Sequence, residues 1–181
     1  MTAALLARTA RLELIAATLD LIAAELTGPD ALGALLGVSV PASWPPGEYD
    51  RDALEFFTSR LVAGGPAVLG WYNWYAIRIG ADGRRASLVG GAGYLGPPLD
   101  GEVEIGYSVV PEARGRGFAT EIVQALTDRA LSAAGVRKVI AHTLASNTTS
   151  QGVLTRSGFI CAGRGAEPGL LRFERSRGHA R

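Results

Sequence analysis

Side chains that form disulfides or bind metals are scarce in this chain. It has one cysteine, Cys161, and two histidines, His142 and His179. One thiol cannot form an internal disulfide, and these three residues do not make a cluster of the kind that holds zinc. The sequence therefore predicts a protein without a disulfide framework or a metal site, in which Cys161 is a buried, inert thiol.

Lysine and net charge are also low. The formal net charge is +1, and Lys138 is the one lysine among 18 basic residues. Near neutrality argues against nucleic-acid binding over a wide surface. The charge is uneven, however: residues 1–100 carry 7 arginines and 10 acidic residues, whereas residues 101–181 carry 11 basic and 7 acidic residues. We therefore expect any polyanionic ligand on the C-terminal half, where arginines can bind phosphate through two parallel hydrogen bonds.

Long apolar segments are interrupted. The uncharged run Leu61–Ile77 contains a Gly-Gly-Pro sequence and a further glycine, which do not suit a membrane-spanning helix. Near the N-terminus, Arg8, Arg11 and Glu13 break the apolar pattern, and no basic region precedes it as in a signal peptide. The expectation is a soluble, cytoplasmic protein without membrane contact.

What is present fits one globular domain over residues 1–181, with an ordered core of about 11–175 and a tail at 176–181. Hydrophobic residues make up 48% and charged residues 19% of the chain. Strand and helix periodicities alternate, which predicts a mixed α/β domain around one central sheet. The predicted strands are 11–16, 71–79, 87–95, 102–110, 138–144, 159–164 and 170–175, and the predicted helices are 18–26, 31–36, 50–63, 118–134 and 147–156.

A glycine and arginine loop joins one of these strands to the next helix. Pro111 ends the strand, residues 114–117 read Arg-Gly-Arg-Gly, and an amphipathic helix begins at about Phe118. Such a loop directs several backbone N–H groups and the positive end of the helix dipole at one point, which suits phosphate. An RNA-binding role is disfavoured because the sequence is not repeated and no aromatics interleave with it. A nucleotide triphosphatase is disfavoured because the Lys-Ser/Thr of a P-loop is missing.

Several segments, taken in order, resemble the GNAT superfamily of acetyl-CoA-dependent N-acetyltransferases. Residues 114–119 match its Arg/Gln-x-x-Gly-x-Gly/Ala loop. Glu-Ile-Gly-Tyr at 104–107, Asn-x-x-Ser at 147–150, Ser-Gly-Phe at 157–159 and the first strand at 9–14 are similar to the branch that acetylates ribosomal protein N-termini (RimJ/RimL-like). The resemblance is weak only between 29 and 69, the region that selects the substrate in such enzymes. It implies the GNAT fold, a mostly antiparallel twisted sheet between helices in three layers (α+β or mixed α/β).

The resemblance also implies acetyl-CoA as co-substrate, no metal, and direct transfer to an amine in a ternary complex. The pyrophosphate would meet the loop N–H groups, with charge from arginine, and the pantetheine amides would pair with the strand edge like an added strand. Asn147 would bond the pantetheine chain from the other side. The predicted CoA-binding residues are Val109, Val110, Arg114, Gly115, Arg116, Gly117, Phe118, Ala119, Thr120 and Asn147.

Three residues are predicted to be catalytic. Glu104 is the first choice as proton acceptor and Glu102 the second; two residues apart on a strand, they share one face, where like charge and partial burial would raise a carboxyl pKa. Ser150 is the candidate for bonding the leaving thiolate, as the matching serine is thought to do in this branch. The tyrosine that protonates the thiolate in other branches is replaced by Phe159 and Phe173, so the general acid stays open.

Plainer interpretations compete with these. The two glutamates would suit a solvent-facing strand, Asn147 is a good helix cap without any ligand, and Ser150 would suit an ordinary first helical turn. His142 fits a packed or rim histidine better than a base. Trp44, in a proline-rich loop, is the aromatic residue that we expect at a substrate mouth.

The acceptor and the assembly are also open. The acceptor is a protein N-terminus or a small-molecule amine, and four acidic residues would suit a cationic amine or merely decorate a helix start: Glu48, Asp50, Asp52 and Glu55. A homodimer is possible. A non-catalytic acyl-CoA sensor on the same fold is the alternative function.

Overall fold

The computed structural model describes residues 5–47 and 49–178. Within these residues the chain forms one eight-stranded sheet with five α-helices. The strands are β1 (Leu6–Arg8), β2 (Leu12–Ala16), β3 (Asn73–Ile79), β4 (Arg85–Tyr94), β5 (Glu102–Val109), β6 (Lys138–Leu144), β7 (Ile160–Arg164) and β8 (Leu170–Ser176). The helices are α1 (Leu19–Thr27), α2 (Pro29–Leu36), α3 (Arg51–Gly64), α4 (Phe118–Ser132) and α5 (Thr148–Arg156). The expected mostly antiparallel sheet between layers of helices is confirmed.

The strand order is β1-β2-β3-β4-β5-β6-β8-β7. The β5–β6 pair is parallel and the other pairs are antiparallel. The hydrogen-bonded ladder between β5 and β6 joins Glu102–Glu104 to Lys138–Ile140 and ends there, although both strands continue. The two strands therefore part in the middle of the sheet. None of the described helices has the length and apolar character that a bilayer span requires.

The sheet has two differently covered faces. We call front face the one that carries Tyr75, Gly91 and Ser108, which are cross-strand partners on β3, β4 and β5. Over strands β2, β3 and β4 this face is covered by α1, α2 and α3. Together they bury a cluster that includes Leu21, Leu32, Leu54 and Ile77. The back face carries the neighbouring positions and packs against α4 and α5, so each strand buries side chains in both directions.

Polar side chains begin three of the helices as their sequences predict. Thr18 accepts a hydrogen bond from the Leu21 N–H at 3.3 Å, and Asp50 accepts one from the Ala53 N–H at 3.0 Å. Asn147 caps α5 in the same way. Helix α2 begins at Pro29, two residues earlier than predicted, because proline is well suited to a first helical position.

Other predictions are wrong in detail. Cys161 is exposed rather than buried, because β7 is an edge strand whose five residues are all exposed. Strand β1 was not predicted from its three residues. Ser176 belongs to β8, and the Arg177 guanidinium donates to the Leu131 and Ala133 carbonyls, so the chain is held beyond the predicted core end. The rest of the predicted tail, residues 179–181, and Glu48 lie outside the described residues.

Candidate active site

The glycine and arginine loop leads from a short 3-10 turn at Pro111–Ala113 into α4. Gly115 and Gly117 have φ angles of 71° and 81°, in the left-handed region where a β-carbon is strained. Gly117 caps α4, and its carbonyl accepts the first helical bond from the Glu121 N–H at 3.2 Å. The N–H groups of residues 118–120 therefore belong to the open first turn, the arrangement that binds anions.

Arg11, at the start of the β2 segment, braces this loop. Its guanidinium bonds Glu121 at 2.8 Å and the Arg116 carbonyl at 3.0 Å, and it lies 4.7 Å from the centre of the Phe118 ring. Partial burial opposes the effect, but bonds from Thr9 and Arg11 lower the pKa of the Glu121 carboxyl. This brace could not be predicted from sequence, since its partners are more than a hundred residues apart.

The edge of β5 differs from the prediction at Val110. Its N–H donates to the Val89 carbonyl at 3.0 Å, and its carbonyl accepts from the Ala113 N–H at 3.0 Å. The Val110 N–H is thus used within the protein and cannot donate to pantetheine. Its carbonyl, like that of Val109, can accept a second hydrogen bond, so Val110 stays a predicted contact. Backbone direction alternates along an antiparallel strand, so the groups of Tyr107 and Val109 face away from β4 toward the gap between β5 and β6. The Val109 carbonyl accepts from Arg114 Nε at 3.0 Å.

The opposite side of the gap is the start of α5. Asn147 Oδ1 accepts from the Ser150 N–H at 3.0 Å, as a helix cap does. Ser150 Oγ lies 2.8 Å from the Tyr107 hydroxyl oxygen, which links α5 to β5 across the gap. Burial raises the pKa of Tyr107, opposed by its bond to Ser150 and by the charge of Arg156. Sequence reasoning used Tyr107 only as part of a motif and missed this contact.

The two predicted catalytic glutamates both lie on the front face, as predicted, but in different surroundings. Glu104 Oε1 is 2.7 Å from His142 Nδ1, and Glu104 is half-buried. Glu102 instead bonds Arg172 at 2.9 Å and lies 3.7 Å from the Lys138 ammonium. The bond from Arg172 is the main reason that the pKa of Glu102 is lowered. The expectation of a raised pKa is therefore wrong for Glu102.

His142 was interpreted as a packed or rim histidine, and it is half-buried. It is also the direct neighbour of the proposed base. Glu104 pairs with Ile140 in the β5–β6 ladder, and His142 lies two residues further along β6 on the same face. The sequence shows that Ile140 and His142 lie on one face of β6. It does not show that β6 pairs in parallel with β5, which is what brings His142 next to Glu104.

A shallow trough runs over β5 on the front face. A β-carbon at Gly106 would meet no atom within 4 Å, so the surface between Ser108 and Glu104 is open. On one side the loop before α3 covers β4, with the Trp44 ring 3.5 Å from the place where a β-carbon of Gly91 would be. His142 lies on the other side, on β6. We call this surface the trough.

The central strands β5 and β6 thus part beside the open first turn of α4, and the comparisons with known proteins identify the class of protein that has this arrangement. The family model of the acetyltransferase (GNAT) domain matches residues 26–160. The chain belongs to this family and is an acyltransferase. It is 30% identical over 133 residues, 73% of this chain and 76% of the relative, to the uncharacterized N-acetyltransferase YjdG of Bacillus subtilis (strain 168).

Solved structures share the fold. A GNAT-family acetyltransferase from Bordetella pertussis, described as putative, has a TM-score of 0.65 at 20% identity, covering 95% of this chain and 99% of that one. RimL, a ribosomal L7/L12 α-N-protein acetyltransferase in complex with coenzyme A, has a TM-score of 0.64 at 18% identity, covering 95% and 98%. These similarities confirm the predicted fold and agree with the RimJ/RimL-like resemblance.

Proposed function

We propose that this protein transfers the acetyl group of acetyl-CoA to a primary amine by direct attack. The observation that carries the proposal is the position of the Glu104–His142 pair at the last rung of the β5–β6 ladder. A carboxylate there stands at the point where the strands part. A thioester lying in the gap and an amine in the trough would meet beside it.

Coenzyme A would enter through the glycine and arginine loop. Its pyrophosphate would accept hydrogen bonds from the N–H groups of residues 114–120, with charge from the exposed Arg114 and Arg116. The pantetheine amides would pair with the gap-facing backbone groups of Tyr107 and Val109, and Asn147 would contact the arm from α5. An amine as the acceptor is supported by the names of two proteins of the same fold. One is named as a ribosomal-protein α-N-acetyltransferase and the other as a spermidine N-acetyltransferase.

The chemical step needs a neutral amine. Glu104 accepts a proton from the ammonium, directly or through one water, and His142 holds the carboxylate through its Nδ1. The amine nitrogen then attacks the thioester carbonyl, forming the C–N bond, and the C–S bond breaks to release the CoA thiolate. As the intermediate collapses, the nitrogen gives its second proton to solvent water, and solvent returns one proton to the group that protonates the thiolate. Glu104 then passes its proton to solvent, so the products are an amide, free CoA and one proton.

The departing thiolate needs a proton. Ser150 Oγ donates it and is resupplied by the Tyr107 hydroxyl, 2.8 Å away. Burial keeps the pKa of Tyr107 above its ordinary value, so this phenol stays protonated at neutral pH and can serve as donor. In this proposal the pair takes the general-acid role that a tyrosine after the last long helix has in other branches, where this chain has Phe159 and Phe173.

Isothermal titration with acetyl-CoA, free CoA, ATP and a short RNA tests the cofactor half. We expect saturable binding of acetyl-CoA and CoA and none of ATP alone or RNA. A screen of protein N-terminal peptides and small amines for CoA thiol release then tests the transfer. Acetyl-CoA binding without thiol release from any amine would contradict the proposal and favour a sensor.

The homodimer stays a prediction. Sedimentation equilibrium of the purified protein would measure its oligomeric state.

A further inference from the structure

A carboxylate that the transfer reaction does not use lies among aromatic side chains beside the trough. Glu25, in the last turn of α1, accepts hydrogen bonds from Trp44 Nε1 at 2.6 Å and from the Tyr75 hydroxyl at 2.6 Å. The Tyr49 hydroxyl donates to it at 3.1 Å and itself accepts from Asn73 Nδ2 at 2.5 Å. We call these five residues the Glu25 cluster.

The hydrogen bonds indicate an ionised carboxylate. Tyr49 receives its own bond from Asn73, so its proton points to Glu25, and the indole N–H can only donate. Three donors occupy three of the roughly four acceptor positions of a carboxylate, which leaves one on Oε1. Burial raises the pKa of Glu25, opposed by the bonds from Tyr75, Trp44 and Tyr49. A cation on the remaining position would stabilise the charge.

Aromatic rings lie around the carboxylate, three of them bonded to it through their polar edges. The centre of the Trp44 ring lies 5.8 Å from that of Tyr49 and 6.1 Å from that of Tyr75. Phe57 stacks on Tyr49 at 6.1 Å. Ring faces attract cations, and Glu25 and Trp44 are only half-buried, so a ligand can approach them. A carboxylate among rings is a suitable site for an ammonium group.

We propose that the Glu25 cluster binds a second cationic group of the acceptor, which makes the preferred substrate a diamine or polyamine. The inference rests on the proposed acetyl transfer. Tyr75 of the cluster lies under the loop, at the level of Ser108, whereas Glu104 is four residues further along β5. That separation is about 13 Å along the strand and about 10 Å across two strands. The two strand positions are therefore about 16 Å apart. With each amino group within about 3 Å of its carboxylate, the two nitrogens of a substrate in the trough would be roughly 10–16 Å apart.

The first test compares 1,8-diaminooctane with octylamine, which has the same chain and one charge. Wild-type protein should give the diamine a kcat/KM about 10-fold or more above that of the monoamine, through KM. Glu25→Gln should remove most of this ratio while leaving kcat for octylamine within about twofold. The control is Asp20→Asn, which removes an exposed carboxylate from the same helix and should keep the ratio. An unchanged ratio in Glu25→Gln, or no diamine preference in wild type, would overturn the inference.

A binding experiment separates this inference from the proposed function. Titration of 1,8-diaminooctane into CoA-loaded wild-type protein needs no turnover and should give saturable binding that octylamine lacks. Diamine binding without any acetyl transfer would contradict the proposed function. Acetyl transfer with equal binding of both amines would contradict only the Glu25 site.

A second measurement on wild-type protein covers the case in which Glu25→Gln does not fold. Tetramethylammonium chloride should raise the apparent KM of the diamine relative to sodium chloride at the same concentration, because it competes for the rings. An identical KM in the two salts would count against the site.

Discussion

Glu102 and Glu104 lie two residues apart on one face of β5, yet their neighbours give them different chemistry. Glu102 is held by Arg172 and Lys138, which keep its pKa low and make it a poor base. Glu104 instead faces the imidazole of His142, whose Nδ1 lies 2.7 Å from its Oε1. These contacts support our proposal that Glu104 is the proton acceptor and that Glu102 is a charge-paired structural carboxylate.

This difference predicts the effects of two matched substitutions. Glu104→Gln should lower kcat about 100-fold or more, since general-base catalysis contributes about 10²–10⁴-fold, with acetyl-CoA affinity unchanged. Glu102→Gln on the same strand should retain kcat within a few fold. Steady-state kinetics by CoA release, with titration of acetyl-CoA into each variant, measures both. The reverse pattern would transfer the role of base to Glu102.

The link between Tyr107 and Ser150 makes a second prediction at this scale. Tyr107→Phe keeps the ring and removes the hydroxyl that resupplies Ser150, so kcat should fall about 10-fold with little change in acetyl-CoA affinity. Ser150→Ala should be at least as slow, and the double variant no slower than Ser150→Ala, because the two act in one relay. Independent, multiplying losses in the double variant would contradict the relay.

Sequence predicted the side-chain direction of these residues but not their partners. The alternation of β5 placed both glutamates on one face, and motif spacing placed Ser150 at a helix start. Arg172 is 70 residues beyond Glu102, and His142 is 38 residues beyond Glu104. Such contacts depend on which strands pair, and strand pairing is set by packing of the whole sheet rather than by local pattern.

At the scale of elements, local signals were enough for most boundaries. β6 was predicted at its observed bounds because its β-branched residues stand between a glycine-containing turn and a helix cap. The insertion of β8 between β6 and β7 was not predicted, since the hairpin that joins β7 to β8 is compatible with either order. The hydrogen bond from the Val110 N–H to the Val89 carbonyl was not predicted for a similar reason, because it depends on the register of β5 with β4.

The loop before α4 predicts a matched pair of glycine substitutions. Gly117→Ala places a β-carbon at φ 81° and within 3.4 Å of the Arg11 guanidinium, so it should cost about 1 kcal/mol of unfolding free energy and weaken acetyl-CoA binding. Gly83→Ala, in the hairpin turn between β3 and β4 at φ 75°, introduces similar strain away from the ligand. Denaturant unfolding and titration should show similar destabilisation but weaker binding only for Gly117→Ala. Equal acetyl-CoA affinity in both variants would contradict phosphate binding by this loop.

At the scale of the whole molecule, the positive C-terminal half is used partly for structure. Arg175 bonds Asp128 at 2.7 Å and the Ser157 carbonyl at 3.2 Å. Arg172 pairs with Glu102, and Arg177 binds carbonyls at the end of α4. These arginines join β8 to its neighbours and are not free to bind a ligand. The positive charge of residues 101–181 therefore overstates how much of this half is available for a polyanion, and the loop at 114–117 is the more specific signal.

Opposite pKa shifts at Glu25 and Glu102 predict opposite effects of pH on the stability of the whole molecule. Burial raises the pKa of Glu25 in the folded state, so its favourable contribution is present at low pH and is lost as pH rises through that pKa. The bond from Arg172 lowers the pKa of Glu102, so its contribution is present above the unfolded pKa and is lost as pH falls through the folded one.

The free energy of unfolding should therefore be compared among wild type, Glu25→Gln and Glu102→Gln from about pH 3 to pH 7, which spans the ordinary carboxyl pKa in both directions. As pH rises, wild type should lose stability relative to Glu25→Gln and gain it relative to Glu102→Gln. Urea unfolding followed by tryptophan fluorescence at each pH measures both differences, and their slopes are independent of any constant packing effect. A Glu25→Gln difference that does not change with pH would mean that the Glu25 cluster holds no buried charge for an acceptor cation to neutralise.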